Sequence, residues 1–260
     1  MADILAVTLY SMQQDMARVE RTSMNIANAT TPGYKREVVS GLPLDPMSFA
    51  AALSTAGLPQ RSAPALGGTV SVAGLLVQTD ARPGTLKPTG QSLDVALIGP
   101  GFFEVTTESG PAYTRQGSWR VDARGRLVTA QGYPVMGQGG EIVLSRPKPV
   151  IDAAGQVFET NAAGGTEPTP VAQLKVVRFD DVKSLQRLGE GLLGSDQEPV
   201  PVTDAEVQLR QGFVENSNVS SMQEMVQLIQ SMRHFESMQK VALGYDEMMG
   251  LAIRKLGDIS

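Results

Sequence analysis

Apolar or small side chains recur near the start of the chain at Leu5, Leu9, Met12, Met16, Val19, Ser23 and Ile26. The gaps alternate between four and three, a heptad seam over three repeats that predicts an amphipathic helix from residue 3 to about 29. Gln13, Gln14, Arg18, Glu20 and Arg21 take the other faces. The stretch NIANATTPGYKRE then ends the pattern. Pro32 disfavours helix in the residue before it, and Gly33 supports a turn, so these two residues are the expected stop. Asn28 is available for a left-handed cap, with Lys35 and Arg36 just beyond. Asn25 and Asn28 lie three apart on one face, where their amides are placed to hydrogen-bond across a helix interface and fix its register.

The other end mirrors the first. From about Ser220 to Leu256 no proline occurs, and an apolar stripe runs through Met225, Leu228, Met232, Phe235, Met238, Ala242, Tyr245, Met249, Ala252 and Leu256. Its spacing of three or four predicts a second helix of about 36 residues, roughly 54 Å long. Between the helices the pattern changes. Over about 70–214, short alternating runs such as SWRVD and continuous ones such as GFFEVTT are cut by Gly, Pro and Asp every 8–12 residues, which predicts an all-β region of hairpins. VDARGRLVT (121–129) is echoed by IDAAGQVFE (151–159). Asp and Gly stand three apart in both, as in a type I turn with glycine at a position of positive φ. Residues 37–69, rich in Pro, Ala, Ser and Gly, read as an extended connection.

Fold class is therefore α+β: terminal helices paired as a coiled-coil-like stem, with an inserted all-β domain. The expected domains are 1–36 with 215–260 (helical), 37–69 (connection) and 70–214 (β). A lone amphipathic helix cannot bury its stripe, so the two helices should pack together. Ile4, Val7, Val226, Ile229 and Val241 lie off the two stripes and leave further apolar surface in search of neighbours.

Composition narrows the chemistry. Apolar residues make up 42% of the 260 and aromatics 5%, so the core should be aliphatic and rich in methionine. Twenty-two Lys and Arg against twenty-seven Asp and Glu give a net charge of −5, which argues against nucleic acid or an anionic membrane as partner. No segment is apolar enough to span a membrane, and the N-terminus lacks the basic n-region of a cleaved signal. The lack of cysteine rules out disulfides and thiolate metal sites, and with one histidine, His234, constellations built on several histidines are unavailable. GYPVMGQGGE leads into a strand instead of a helix, so it is a turn and not a phosphate loop. Asp122 and Asp152 sit in turn contexts. No catalytic, cofactor or metal site is expected.

Three blocks resemble one family. MNIANATTPGYKRE, SLDVALIGPGFFEVTTESGPAYTRQGSWRVDARGRLVTAQGYPVMG (92–137) and QGFVENSNVSSMQEMVQLIQSMRHFESMQK (211–240) are similar, in order and spacing, to the signatures of bacterial flagellar rod and hook proteins. The resemblance implies a structural subunit, not an enzyme, exported through the flagellar secretion channel without a cleaved signal. It implies self-assembly with other rod subunits into a helical hollow shaft across the periplasm, with the terminal helices lining it. YPVMGQGGEIVL and MRHFESMQK look more like a proximal-type rod subunit. Chain length and the position of GFF lean toward the distal type. Subunit contacts are expected at Leu5, Leu9, Met12, Met16, Val19, Asn25, Ile26, Asn28, Met225, Leu228, Met232, Phe235, Met238, Tyr245 and Met249. A β-domain binding module with a helical stem is the alternative outside the family.

Overall fold

A computed structural model of the chain describes residues 2–42, 74–160, 165–182, 185–203 and 206–257. Most of the connection expected over 37–69 lies outside these residues. The fold is α+β: a helix at each end and short strands between. Two compact units are formed. One holds 2–26, 37–42, 74–77 and 221–257; the other holds 27–36 and 78–220.

In the helical unit, α1 (Ala2–Ala27) has 26 residues and α2 (Ser221–Gly257) has 37. The spans agree with those read from the apolar spacing to within two residues. Glu224 stands in the first turn of α2 and Arg254 and Lys255 in its last, charges of the sign that each end of the helix dipole favours. Asp15 of α1 meets His234 of α2, and Asn25 meets Glu224. The partners are ten residues apart on each helix and run in opposite directions, so the helices lie antiparallel. A two-stranded sheet, Glu37–Leu42 with Gly74–Thr79, follows α1. No helix among the described residues is long and apolar enough to cross a membrane.

The β unit is built on a six-stranded antiparallel sheet. Its spatial order is Gln186–Gly189, Leu192–Gly194, Gly110–Thr114, Phe102–Thr107, Val176–Arg178 and Val200–Pro201. The Phe102–Phe103 pair shows why the run GFFEV is apolar without alternation. Successive strand residues point to opposite faces, and here both faces are covered. Phe102 packs with Tyr113, Val177, Phe179, Leu185 and Leu193. Phe103 and Val105 belong to the larger core with Val95, Trp119, Leu127 and Val135. The Phe103 and Trp119 rings meet edge to face with centroids 4.9 Å apart, a favoured aromatic geometry.

The two echoed segments fold alike. Asp122 Oδ1 accepts hydrogen bonds from the backbone N–H groups of Arg124 and Arg126, and Asp152 Oδ1 from those of Ala154 and Gln156. Gly125 and Gly155 follow at φ 80° and 83°. Each turn closes a hairpin, Arg120–Val121 with Leu127–Val128 and Val150–Ile151 with Gln156–Phe158. These carboxylates are therefore engaged in organising turns, the role that Asp commonly plays there. Met136–Gly137 pairs with Gly140–Glu141, so GYPVMGQGGE is also a hairpin turn.

Candidate functional site

The face that α1 covers is polar. Thr8, Asp15, Thr22 and Asn25 are buried, spaced seven, seven and three apart. The expected apolar seam points elsewhere: Leu9 and Met16 are 51% and 61% exposed, and Met12, Val19 and Ile26 are partly exposed. Leu5 lies in α1, but its side chain is outside the described ones. The physical reason is visible in the contacts. Asp15 Oδ2 lies 2.5 Å from His234 Nδ1, and Arg18 Nη1 lies 3.7 Å from Asp15 Oδ1. Asn25 Nδ2 donates to the Glu37 carbonyl at 2.9 Å and to Glu224 Oε2 at 3.1 Å, while its Oδ1 accepts from Glu37 N at 3.0 Å. Polar groups buried on one side of a helix must be paired there, which turns the seven-residue polar row toward α2.

On α2 the side turned to α1 is a row of half-covered residues, Leu228, Ser231, Phe235, Met238, Ala242 and Tyr245, preceded by the buried Glu224. The far side is apolar as well. Met222 is 77% exposed, and Met225, Val226, Ile229, Met232 and Leu243 are exposed by half or more. Met249 is also exposed. Of the expected contact positions, Asn25 meets Glu224 of α2, Leu228, Phe235, Met238 and Tyr245 are partly covered, Met16 and Met232 are exposed beside Phe235 on one flank of the pair, and Leu9, Met225 and Met249 are exposed. On one flank of the pair the side chains leave a groove of about 830 Å³, lined mainly by apolar surface of Met16, Ala17, Val19, Met232 and Phe235 and rimmed by Gln13, Glu20, Glu236 and Gln239.

His234 makes its one described contact with Asp15, and no group of three His, Asp or Glu residues able to hold a metal occurs among the described residues.

Within the β unit, the segment after α1 is anchored rather than loose. Asn28 does not take the left-handed cap; among the described non-glycine residues Glu190 alone has positive φ. Asn28 Oδ1 instead accepts from Thr31 Oγ1 at 3.2 Å. Gly33, at φ 70°, donates its N–H to the Glu215 carbonyl at 2.7 Å. A Cβ on Gly33 would lie 2.5 Å from the Arg115 carbonyl carbon, so glycine is required by close approach as well as by φ. Tyr34 stacks beneath Arg187, 4.1 Å from guanidinium carbon to ring centre, and Arg187 Nη2 donates to the Lys35 carbonyl at 2.6 Å.

At the centre of this joint is the Glu215 carboxylate. Oε1 accepts from Lys35 Nζ at 2.5 Å and from Gly84 N at 2.8 Å; Oε2 accepts from Arg115 Nη1 at 3.2 Å. Lys35 also donates to the Arg82 carbonyl, and Arg115 to those of Leu97 and Gly99. Burial holds both the Lys35 ammonium and the Arg115 guanidinium below their ordinary pKa values, with Glu215 pulling the other way. Asn218 completes the joint. It accepts from Arg36 N at 2.7 Å and donates to the Asp80 and Arg82 carbonyls, both at 2.9 Å. Asp80 is held below the usual carboxylate value, first by the Arg82 side chain hydrogen-bonded to it. Three distant pieces of chain, 33–36, 80–85 and 215–218, are thus tied together. The apolar pattern carries no sign of this cluster. Its only local marker is the density of polar residues in TTPGYKRE and VENSN.

Comparison with known proteins places these segments. Residues 96–162 match the family described as flagellar hook protein FlgE/F/G D1 domain, and residues 210–254 that described as flagellar basal body rod FlgEFG protein C-terminal. The flagellar basal-body rod protein FlgG of Buchnera aphidicola subsp. Schizaphis graminum is 32% identical over 247 residues, covering 87% of this chain and 89% of that one. The rod protein FlgF of Salmonella typhimurium is 31% identical, with 89% of each chain covered. FlgF of Escherichia coli is 32% identical with the same coverage.

Proposed function

The chain belongs to the flagellar basal-body rod protein family, and we propose that it works there by self-assembly through its two helices into a hollow, torque-transmitting helical shaft. As a member of that family it is a structural subunit of the basal-body rod. α1 with α2 forms the axial core, and the β unit forms the outer layer that stiffens it. Its neighbours are other rod subunits, and it reaches them through the flagellar export apparatus without a cleaved signal. Phe235–Glu236 within MRHFESMQK favours a proximal-type place in the rod.

One observation carries the reading. α2 has 37 residues, yet among its described side chains Glu224 alone is buried. Apolar residues stand on both its sides. Each exposed Met, Ile or Leu that becomes covered contributes on the order of 1.5–3 kcal/mol, enough in sum to offset the ordering of long helical ends. The subunit contacts expected at Leu9, Met16, Met225, Met232 and Met249 are those left open in the single chain.

Deletion of residues 1–30 tests the reading. The truncated chain should keep a folded β unit, reported by the single Trp119, and fail to enter purified basal bodies. Incorporation of the truncated chain at the normal level would refute it.

A further inference from the structure

The groove between α1 and α2 and the exposed stripe at the start of α2 match one another in length, spacing and charge. On α1 the groove is lined by Gln13, Met16, Ala17, Val19 and Glu20, and on α2 by Met232, Phe235, Glu236 and Gln239. The α2 row repeats at i, i+3, i+4, i+7, or about 10 Å of helix, and on α1 Val19 adds to a row of the same spacing. The stripe Met222, Met225, Val226 and Ile229 has the same spacing, and every member is at least 50% exposed. It begins ten residues before the groove on α2, roughly 15 Å along the axis. It also points to a different side: at 100° per residue its centre lies about 80° from that of the groove row. A molecule therefore cannot fill its own groove with its own stripe.

Charge selects the direction. The groove rim carries Glu20 and Glu236, and Asp246 and Glu247 follow further along α2. The docking stretch 222–233 has a single acid, Glu224, which is buried toward α1; its outward polar residues are Gln223, Gln227, Gln230 and the exposed Arg233. If the incoming helix runs parallel to α2, Met222 lies beside Met232, Ile229 beside Gln239, and Arg233 comes to the turn preceding Asp246 and Glu247. Parallel helices are also what a polar assembly of identical subunits requires, because a heterologous contact repeated by a screw operation keeps every copy pointing the same way.

We propose that the stripe Met222–Ile229 of a second copy of this chain docks, parallel to α2, into the groove between α1 and α2, as a helix lays its apolar face into a groove elsewhere. The proposal rests on the rod-subunit reading and deepens it. Stripe and groove are different surfaces of one molecule, so the contact does not close on itself and propagates a row of copies.

The absence of cysteine from the sequence makes the test direct. Chains carrying both Ile229→Cys and Gln239→Cys are concentrated, and separately incorporated into basal bodies, then treated with a short thiol cross-linker. A covalent ladder is expected in both settings, and dimers only when the two single variants are mixed. Chains carrying Met222→Cys with Gln239→Cys should give no ladder, since those positions face opposite ends of the groove. Adding Ile229→Asp to a chain bearing Met222→Cys and Met232→Cys should abolish the ladder which that pair otherwise gives, with helix content unchanged. Incorporation into basal bodies without the 229–239 link, or a link between 222 and 239 instead, overturns the groove proposal and leaves the rod reading intact. Failure to incorporate the wild-type chain would overturn both.

Discussion

Glu215→Gln removes the one anion between two buried cations while keeping the size and shape of the side chain. Its Oε1 and Oε2 contact Lys35 Nζ at 2.5 Å and Arg115 Nη1 at 3.2 Å, and the Lys35, Glu215 and Arg115 side chains are 2%, 1% and 4% exposed. Removing one partner of such a pair leaves an uncompensated buried charge, a loss of about 3–5 kcal/mol. For a unit of about 150 residues, that lowers the melting temperature by on the order of 10 °C. Trp119, the single tryptophan and part of the β-unit core, reports the transition by fluorescence. The pH dependence is the sharper part. Burial places the folded pKa of Lys35 below its unfolded value of 10.5. Between those two values the unfolded chain binds more protons than the folded one, so this group makes stability rise with pH. Without Glu215 the folded pKa falls further, and the window opens at lower pH. The gap between wild type and Glu215→Gln should therefore narrow as pH is raised from 7 toward 10. A melting shift below 2 °C, or a gap that widens with alkalinity, would show that Glu215 does not hold the joint electrostatically.

Gly33→Ala should cost several kcal/mol, because its Cβ would fall 2.5 Å from backbone atoms of Arg115 and Gln116 at a φ that side chains avoid. Gly139→Ala, with no atom within 4 Å of the added carbon, should leave the same fluorescence melt unchanged; equal effects would contradict the packing argument. Asn25→Ala removes three hydrogen bonds at the helix pair. It should cost the helical unit about 2–3 kcal/mol, read by faster amide exchange in α1, and unaltered exchange would refute it. Asp80 has a folded pKa below 3.8, so its contribution is present above that unfolded value and fades as pH falls through the folded one. Asp80→Asn should accordingly flatten the acid limb of the melting curve, and an identical limb in both proteins would refute this.

The helices and the two Asp–Gly turns were legible because each depends on neighbours in sequence. A period of 3.5 marks α1 and α2, and Asp122 and Asp152 bond to amides two and four residues ahead. The joint was not legible, since Glu215 lies 180 residues from Lys35 and 100 from Arg115 and no periodicity links them. The apolar seam also misled over which side of α1 meets α2. Leu9 is exposed and Met16 lines only the flank groove, whereas Thr8, Asp15 and Thr22 are buried side chains of α1. A heptad count follows hydrophobicity, and here the intramolecular side is held by buried polar contacts while the greasier side is left open. Asn25 donates to Glu224 Oε2 of α2, a partner that spacing could not name.

The antiparallel register of α1 and α2 constrains how relatives of this chain can change in length. One residue inserted between Asp15 and Asn25 would turn everything on one side of it by 100° and move it 1.5 Å. Either Asp15 would leave His234 or Asn25 would leave Glu224. Seven inserted residues nearly restore the phase, drifting by only about 20°, yet they restore both pairings only if α2 gains the same number between Glu224 and His234. Viable length variants should therefore lengthen both helices in matched sevens, or place their insertions in the hairpin turns of the β unit, where a longer loop costs little.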